Sequence, residues 1–119
     1  MEDINLNEAL IKDMKRRFVK SFLDLLVLKL IQNEPIWGYK ILKKTEFLYQ
    51  IKLRHGALYP LLNALEANGF IKGKQELQKG RIRKVYQITP KGTQLIETYQ
   101  NFLKQQLQEP KPGRKEKNK

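Results

Sequence analysis

Apolar positions recur along this chain with two different periods, and the change from one to the other divides it. Leu6, Leu10, Ile11, Met14 and Phe18 stand three or four apart within residues 4–18, which predicts an amphipathic helix. The next run, Phe22 to Ile31 (FLDLLVLKLI), is apolar nearly all round and predicts a helix buried on several sides, ended by Asn33-Glu34-Pro35. A further helix is expected from about Gly38, with Ile41, Leu42 and Leu48 inward and Lys40, Lys43 and Lys44 outward. Ile51-Lys52-Leu53 reads as a short, extended link. Leu58, Leu61, Leu62 and Leu65 then fall at i, i+3, i+4 and i+7, one buried helical face. Gly56, Pro60, Asn63 and Ala67 take the opposite face, with Tyr59 and Glu66 at its edge. Asn68-Gly69 is a helix stop, Gly69 being suited to the left-handed position after the last turn.

Beyond Gly69 the period shortens. FIKGKQELQ and RIRKVYQIT have strand character and are joined by Lys79-Gly80, a hairpin turn. Thr89-Pro90 supplies an N-cap followed by proline at the first helical position. The last helix carries Leu95, Ile96, Tyr99, Phe102, Leu103 and Leu107 along a stripe, and EPKPGRKEKNK from Glu109 has no apolar residue. The fold class that follows is mainly α with a β-hairpin wing: a winged helix-turn-helix between N-terminal and C-terminal dimerisation helices. Residues 1–108 form the domain and 109–119 are expected to be a disordered basic tail. In such a layout the third helix of the unit enters the DNA major groove, and the hairpin lies on the backbone or minor groove.

Composition narrows the chemistry. With 119 residues there is length for one domain, and a chain this short often gains stability from a partner subunit. Absence of cysteine excludes disulfides, thiolate catalysis and cysteine zinc sites, and the single histidine, His55, excludes a histidine-rich metal cluster. MEDINLNEAL lacks the basic and apolar regions of a signal peptide, and the longest apolar run is too short for a bilayer, so a soluble cytoplasmic protein is expected. The charge points to a polyanionic partner: 24 Lys and Arg stand against 12 Asp and Glu, a net +12. Between Phe70 and Tyr86 six cations (Lys72, Lys74, Lys79, Arg81, Arg83 and Lys84) face one acid, Glu76.

Double-stranded DNA is therefore the expected partner. Small Gly56 and Ala57 at the start of the third helix let a backbone approach, and the helix start offers unpaired N–H groups to phosphate. Pro60 costs only a backbone donor if it lies in the first turn. Tyr59 suits sugar or phosphate, and Asn63 suits adenine. The full DNA-binding set is Tyr39, Lys40, Arg54, His55, Gly56, Ala57, Tyr59, Pro60 and Asn63, with Lys79, Arg81 and Arg83 of the wing. Trp37 and Tyr39 form an aromatic pair beside Gly38 that reads first as core and second as a ligand shelf. The terminal stripe either folds back on its own domain or meets a second chain. A homodimer through Leu10, Met14, Leu95, Tyr99, Phe102 and Leu103 is the expectation. No catalytic residues, metal ligands or cofactors are assigned: Glu66 and Glu76 have no histidine partner, and the acids read as solvated surface.

Three segments, WGYKI (37–41), HGALYPLLNALEANGFI (55–71) and RIRKVYQITPKG (81–92), resemble the PadR family of winged-helix regulators over roughly residues 20–105. The resemblance implies homodimeric transcription regulators, mostly repressors, which small aromatic or drug-like molecules release in the better-known members. It also implies DNA contact from Gly56–Tyr59 and the wing, and dimerisation through the last helix. Trp37, Ala57 and Lys40 depart from the family's usual histidine, threonine and acid, which makes the surface more basic. A single C-terminal helix leaves little room for a sensor domain, so an aromatic effector would bind between helices or at the dimer seam, with Trp37, Tyr99 and Phe102 as candidates. The rival readings are a nonspecific architectural DNA binder and a protein-docking module.

Overall fold

In a computed structural model the chain is described for residues 6–108; the basic tail and the first residues of the predicted N-terminal helix lie outside the described residues. Helix α1 (Glu8–Ser21) is capped by Asn7, whose side chain accepts from Leu10 N at 2.8 Å. It runs past residue 18 and breaks at Phe22, where α2 (Leu23–Asn33) begins. α2 buries Leu25, Val27, Leu28 and Ile31, as its nearly continuous apolar surface requires. Strand β1 (Ile36–Trp37) leads into α3 (Gly38–Tyr49), α4 (His55–Ala67), β2 (Ile71–Gln78), β3 (Arg81–Ile88) and α5 (Pro90–Gln106).

β1 was not expected. It pairs antiparallel with β3, Ile36 against Tyr86 and Trp37 against Val85, so the wing is the outer part of a sheet ordered β1-β3-β2. The pairing closes the free edge of β3 and buries Ile36 between the helices and the sheet.

Two helical expectations need correction. In α3 the inward series takes Ile41, Leu42 and Thr45, while Leu48 is 49% exposed. The i+4 step from Ile41 lands on Thr45, whose hydroxyl donates back to the Ile41 carbonyl at 2.9 Å and so tolerates burial. In α4 the Arg54 carbonyl accepts from Ala57 N and Leu58 N, so the helix starts at His55 and Pro60 falls in its second turn. Besides having no donor of its own, Pro60 deprives the Gly56 carbonyl of its i+4 partner.

Leu58, Leu62 and Leu65 of α4 join α2, Ile41, Ile71, Tyr86 and Ile96 in one core, with Leu61 half-buried at its rim. The Thr89 hydroxyl caps α5 by accepting from Gly92 N at 3.0 Å and donates to the Gly69 carbonyl at 2.6 Å. One side chain thus ties the start of α5 to the end of α4. In α5, Leu95, Ile96, Tyr99 and Leu103 pack against the domain's own core. Among the described residues no helix is long and apolar enough to cross a membrane.

Candidate nucleic-acid interface

The start of α4 is open to solvent. Its N-cap, Arg54, makes no side-chain capping bond, and Arg54, His55, Gly56 and Ala57 are all exposed. The first N–H groups of the helix and its positive dipole end therefore face outward. Pro60 and Asn63 lie exposed on the same helix, while Leu58, Leu62 and Leu65 anchor it from below.

Gly56 is unexplained by anything inside the fold. It has no positive φ, and a Cβ built on it meets nothing within 4 Å. Glycine inside a helix costs about 0.5–1 kcal/mol relative to alanine. The space over Gly56 is open to close approach from outside the domain. Gly38 is the opposite case: a Cβ there would stand 2.5 Å from the Tyr59 hydroxyl oxygen and 2.8 Å from its ring. The Tyr59 ring lies across the start of α3, with the His55 imidazole stacked on it at 5.3 Å. Tyr59 is thus half-buried and braces α3 against α4, with only part of its ring available to a ligand.

Two clefts extend this surface. One of about 490 Å³ runs from Tyr39, Lys43 and Glu46 of α3 to Lys52, Arg54 and His55. The other, about 240 Å³, joins Tyr39 and Tyr59 to Arg83 and Lys84 of the wing. Tyr39 borders both, so a continuous face leads from the α4 start to the wing. Tyr39 is exposed, not core, and Lys43 lies over its ring at 5.4 Å. Lys43 and Lys52, which line the first cleft, were not among the expected site residues; the closeness of Lys52 to Arg54 in sequence was the available signal.

The wing presents Lys79 and Arg81 at its tip, exposed, and Arg83 half-buried. Lys79 (φ 50°) and Gly80 (φ 79°) both take the left-handed conformation, the signature of a tight hairpin turn whose first place favours asparagine or glycine. A lysine there accepts local strain to put a cation at the tip. Lys40, expected on the outward face, has its ammonium 3.2 Å from Glu34 and over the Trp37 ring. With Lys44 at 2.9 Å as the larger influence, these two lysines hold the Glu34 carboxyl below its ordinary range.

Glu66, expected as solvated surface, links α4 to the wing. Its carboxylate takes the Lys84 ammonium at 2.7 Å and the Gly73 N–H at 3.1 Å. The Lys84 bond holds the Glu66 carboxyl below its usual value, and Glu66 holds Lys84 above its own. Eighteen residues separate the two in sequence, and no spacing rule connects them.

Of the expected dimer residues, Leu10, Met14 and Phe102 are exposed, together with Phe18 on the same α1 stripe and Leu6 just ahead of the helix. Leu95 and Leu103 are half-buried against the core, and the Tyr99 hydroxyl donates to Asp24 at 3.2 Å. Of the effector candidates, Trp37 is covered by Lys40 and Arg83, Tyr99 is engaged by Asp24 and Phe22, and Phe102 is open.

The sequence profile of the transcriptional regulator PadR-like family matches residues 27–98. Among curated proteins, the transcriptional regulator Rv3488 of Mycobacterium tuberculosis is 49% identical over 37 residues, 31% of this chain. That match spans only 35% of the relative's length. A PadR-like transcriptional regulator from Bacillus cereus superimposes with a TM-score of 0.63 at 25% identity, covering 79% of this chain and 99% of that one. A PadR family transcriptional regulator from Eggerthella lenta shares the fold with a TM-score of 0.68 at 24% identity, covering 81% of this chain and 84% of that one.

Proposed function

The chain belongs to the PadR-like family of transcriptional regulators, and on that premise we propose that it is a cytoplasmic, sequence-specific DNA-binding repressor, working as a homodimer on a palindromic operator. The observation that carries the reading is the uncapped, exposed start of α4 with an internally unneeded glycine, on one face with the cationic wing. Arg54, His55, Gly56 and Ala57 meet the phosphate backbone at the groove edge, Asn63 reaches toward bases, and Lys79, Arg81 and Arg83 neutralise flanking phosphates. Tyr59 holds α4 in register with α3 more than it touches DNA. The exposed α1 stripe of Leu10, Met14 and Phe18, together with Phe102, supplies the apolar face that a second copy would cover.

Selection of bound sequences from a random duplex pool at about 150 mM salt tests the reading. The expected outcome is a palindrome with half-sites about one helical turn apart. Retention of duplex without enrichment would replace it with nonspecific architectural binding, and no retention at all would end it.

A further inference from the structure

The outer wing has little to hold it in place. β1 supports β3 only at Tyr86 and Val85, so from Lys84 to the turn β2 and β3 are paired with each other alone. A two-stranded hairpin is marginal by itself. Among the described residues, two hydrogen bonds join the side chains of α4 to the strands, and Glu66 makes both. It accepts from the Gly73 N–H at 3.1 Å and from the Lys84 ammonium at 2.7 Å. One carboxylate thus grips β2 and β3 at once, at the point where β1 ends. Arg83 lies over the Trp37 ring at 5.1 Å, which ties the wing to β1 and not to α4.

Gly73 shows that this grip is built into the strand. Its φ is not positive, yet a Cβ built on it would run into the Lys84 stem and stand 2.9 Å from the Glu66 carboxylate. Glycine inside a strand weakens it and marks a place where another group comes close; here that group is the Glu66–Lys84 pair. The Lys84 ammonium also lies over the ring of Tyr86, the residue paired with Gly73 across the strands, at 5.5 Å. The lever beyond this point is long. Lys84 stands four residues from Gly80. At the usual strand rise that is about 13 Å, so a turn of about 10° at the clamp carries the tip through about 2 Å. Such a shift is enough to separate Lys79 or Arg81 from a phosphate in direct contact.

We propose that Glu66 is a positioning residue for DNA recognition: through the Gly73 N–H and the Lys84 ammonium it fixes the angle of the wing to α4, which sets where Lys79 and Arg81 meet phosphate. Lys84 is consequently half of the clamp and is withheld from DNA, although charge counting groups it with the other five cations of the wing. This rests on the DNA-binding reading above, and the test separates the two.

The full chain is compared with Glu66→Gln, Lys84→Met, their double variant and the conservative Lys84→Arg. Each is titrated over a salt series on a selected duplex and on the same duplex trimmed to the segment that α4 protects from hydroxyl radicals. Both side chains of the pair are partly exposed, so its loss costs little stability and the variants should stay folded, which circular-dichroism melting checks. On the long duplex each single loss should weaken binding roughly five- to tenfold and the double variant no further, because one interaction is removed in all three. The salt slope should fall by about 0.9 for each wing phosphate released. Lys84→Arg should bind as wild type does, and on the trimmed duplex all forms should bind alike. Opposite signs on the long duplex, Glu66→Gln tighter and Lys84→Met weaker, would make Lys84 a phosphate ligand and overturn the clamp. Equal weakening on both duplexes would reduce Glu66 to a general structural role, and unchanged binding throughout would mean that the wing is held by other contacts. Either result overturns the proposal and leaves the regulator reading standing. Failure of the wild-type chain to bind any duplex would remove both.

Discussion

Replacing Gly56 by alanine should move stability and DNA binding in opposite directions. Gly56 is the second residue of α4, without a positive φ, and an added Cβ meets no atom within 4 Å. The methyl group therefore introduces no clash within the domain and removes backbone freedom from the unfolded chain, a gain of about 0.4–1 kcal/mol. Close to the helix end the lower half of that range applies. For a domain of this size the midpoint of thermal unfolding should rise by roughly 2–5 °C. If a DNA backbone packs on the helix start, the same methyl group sits between the two surfaces. Overpacking of that kind costs about 1–3 kcal/mol, which weakens binding roughly 5- to 150-fold. Circular-dichroism melting and duplex titration at fixed salt measure the two effects on one preparation. A variant that melts higher and binds as tightly as wild type refutes the close-approach argument. A variant that melts lower refutes the claim that the space is empty.

Other substitutions probe the rest of the site. Glu66→Gln keeps an acceptor for Gly73 but loses the charge facing Lys84; with the two side chains 31% and 46% exposed, the pair contributes only about 0.5–1 kcal/mol after solvent screening. Because the Glu66 carboxyl is held below its ordinary 4.5, its contribution is present above pH 4.5 and is lost as pH falls through the lowered value. Because Lys84 is held above 10.5, its share is present below that pH and is lost only as pH rises through the raised value. Urea unfolding should therefore separate wild type from Glu66→Gln between these limits and bring them together in acid; a gap that persists in strong acid would contradict the ion-pair account. Gly38→Ala drives a Cβ into the Tyr59 ring and should destabilise by about 1–3 kcal/mol, with partial recovery when Tyr59 is shortened to leucine. A neutral Gly38→Ala would mean that the ring is free to move. Met14→Glu and Phe102→Glu place charge on exposed positions, so each monomer should fold while sedimentation shows loss of the proposed dimer. Dimers that survive both changes would put the interface elsewhere.

The long-period and short-period stretches were legible because local chemistry decides them. Five helices and a hairpin follow from apolar spacing, and their boundaries from residues with a single local role: Asn68-Gly69 at the end of α4, Lys79-Gly80 at the turn, Thr89-Pro90 at the start of α5. The exposed start of α4 was legible for the same reason, since Gly56, Pro60 and Asn63 on the face opposite Leu58, Leu62 and Leu65 can be read by counting along the chain. The basic wing needed only charge counting.

What the tertiary structure alone decided are meetings between distant residues. β1 is two residues long, too short to show a period, and exists only because β3 offers it an edge. Lys40 reads from the sequence as an outward lysine, and only the packing of α3 brings it to Glu34 and Trp37. Glu66 looked solvated until the sheet brought Lys84 and the Gly73 N–H to it. The last stripe read as one seam, yet it splits, with Leu95, Tyr99 and Leu103 turned to the domain's own core and Phe102 left outside. Periodicity reports which way a side chain points relative to its own helix. It carries no record of which other element arrives on that side, because that is set by the packing of the whole core.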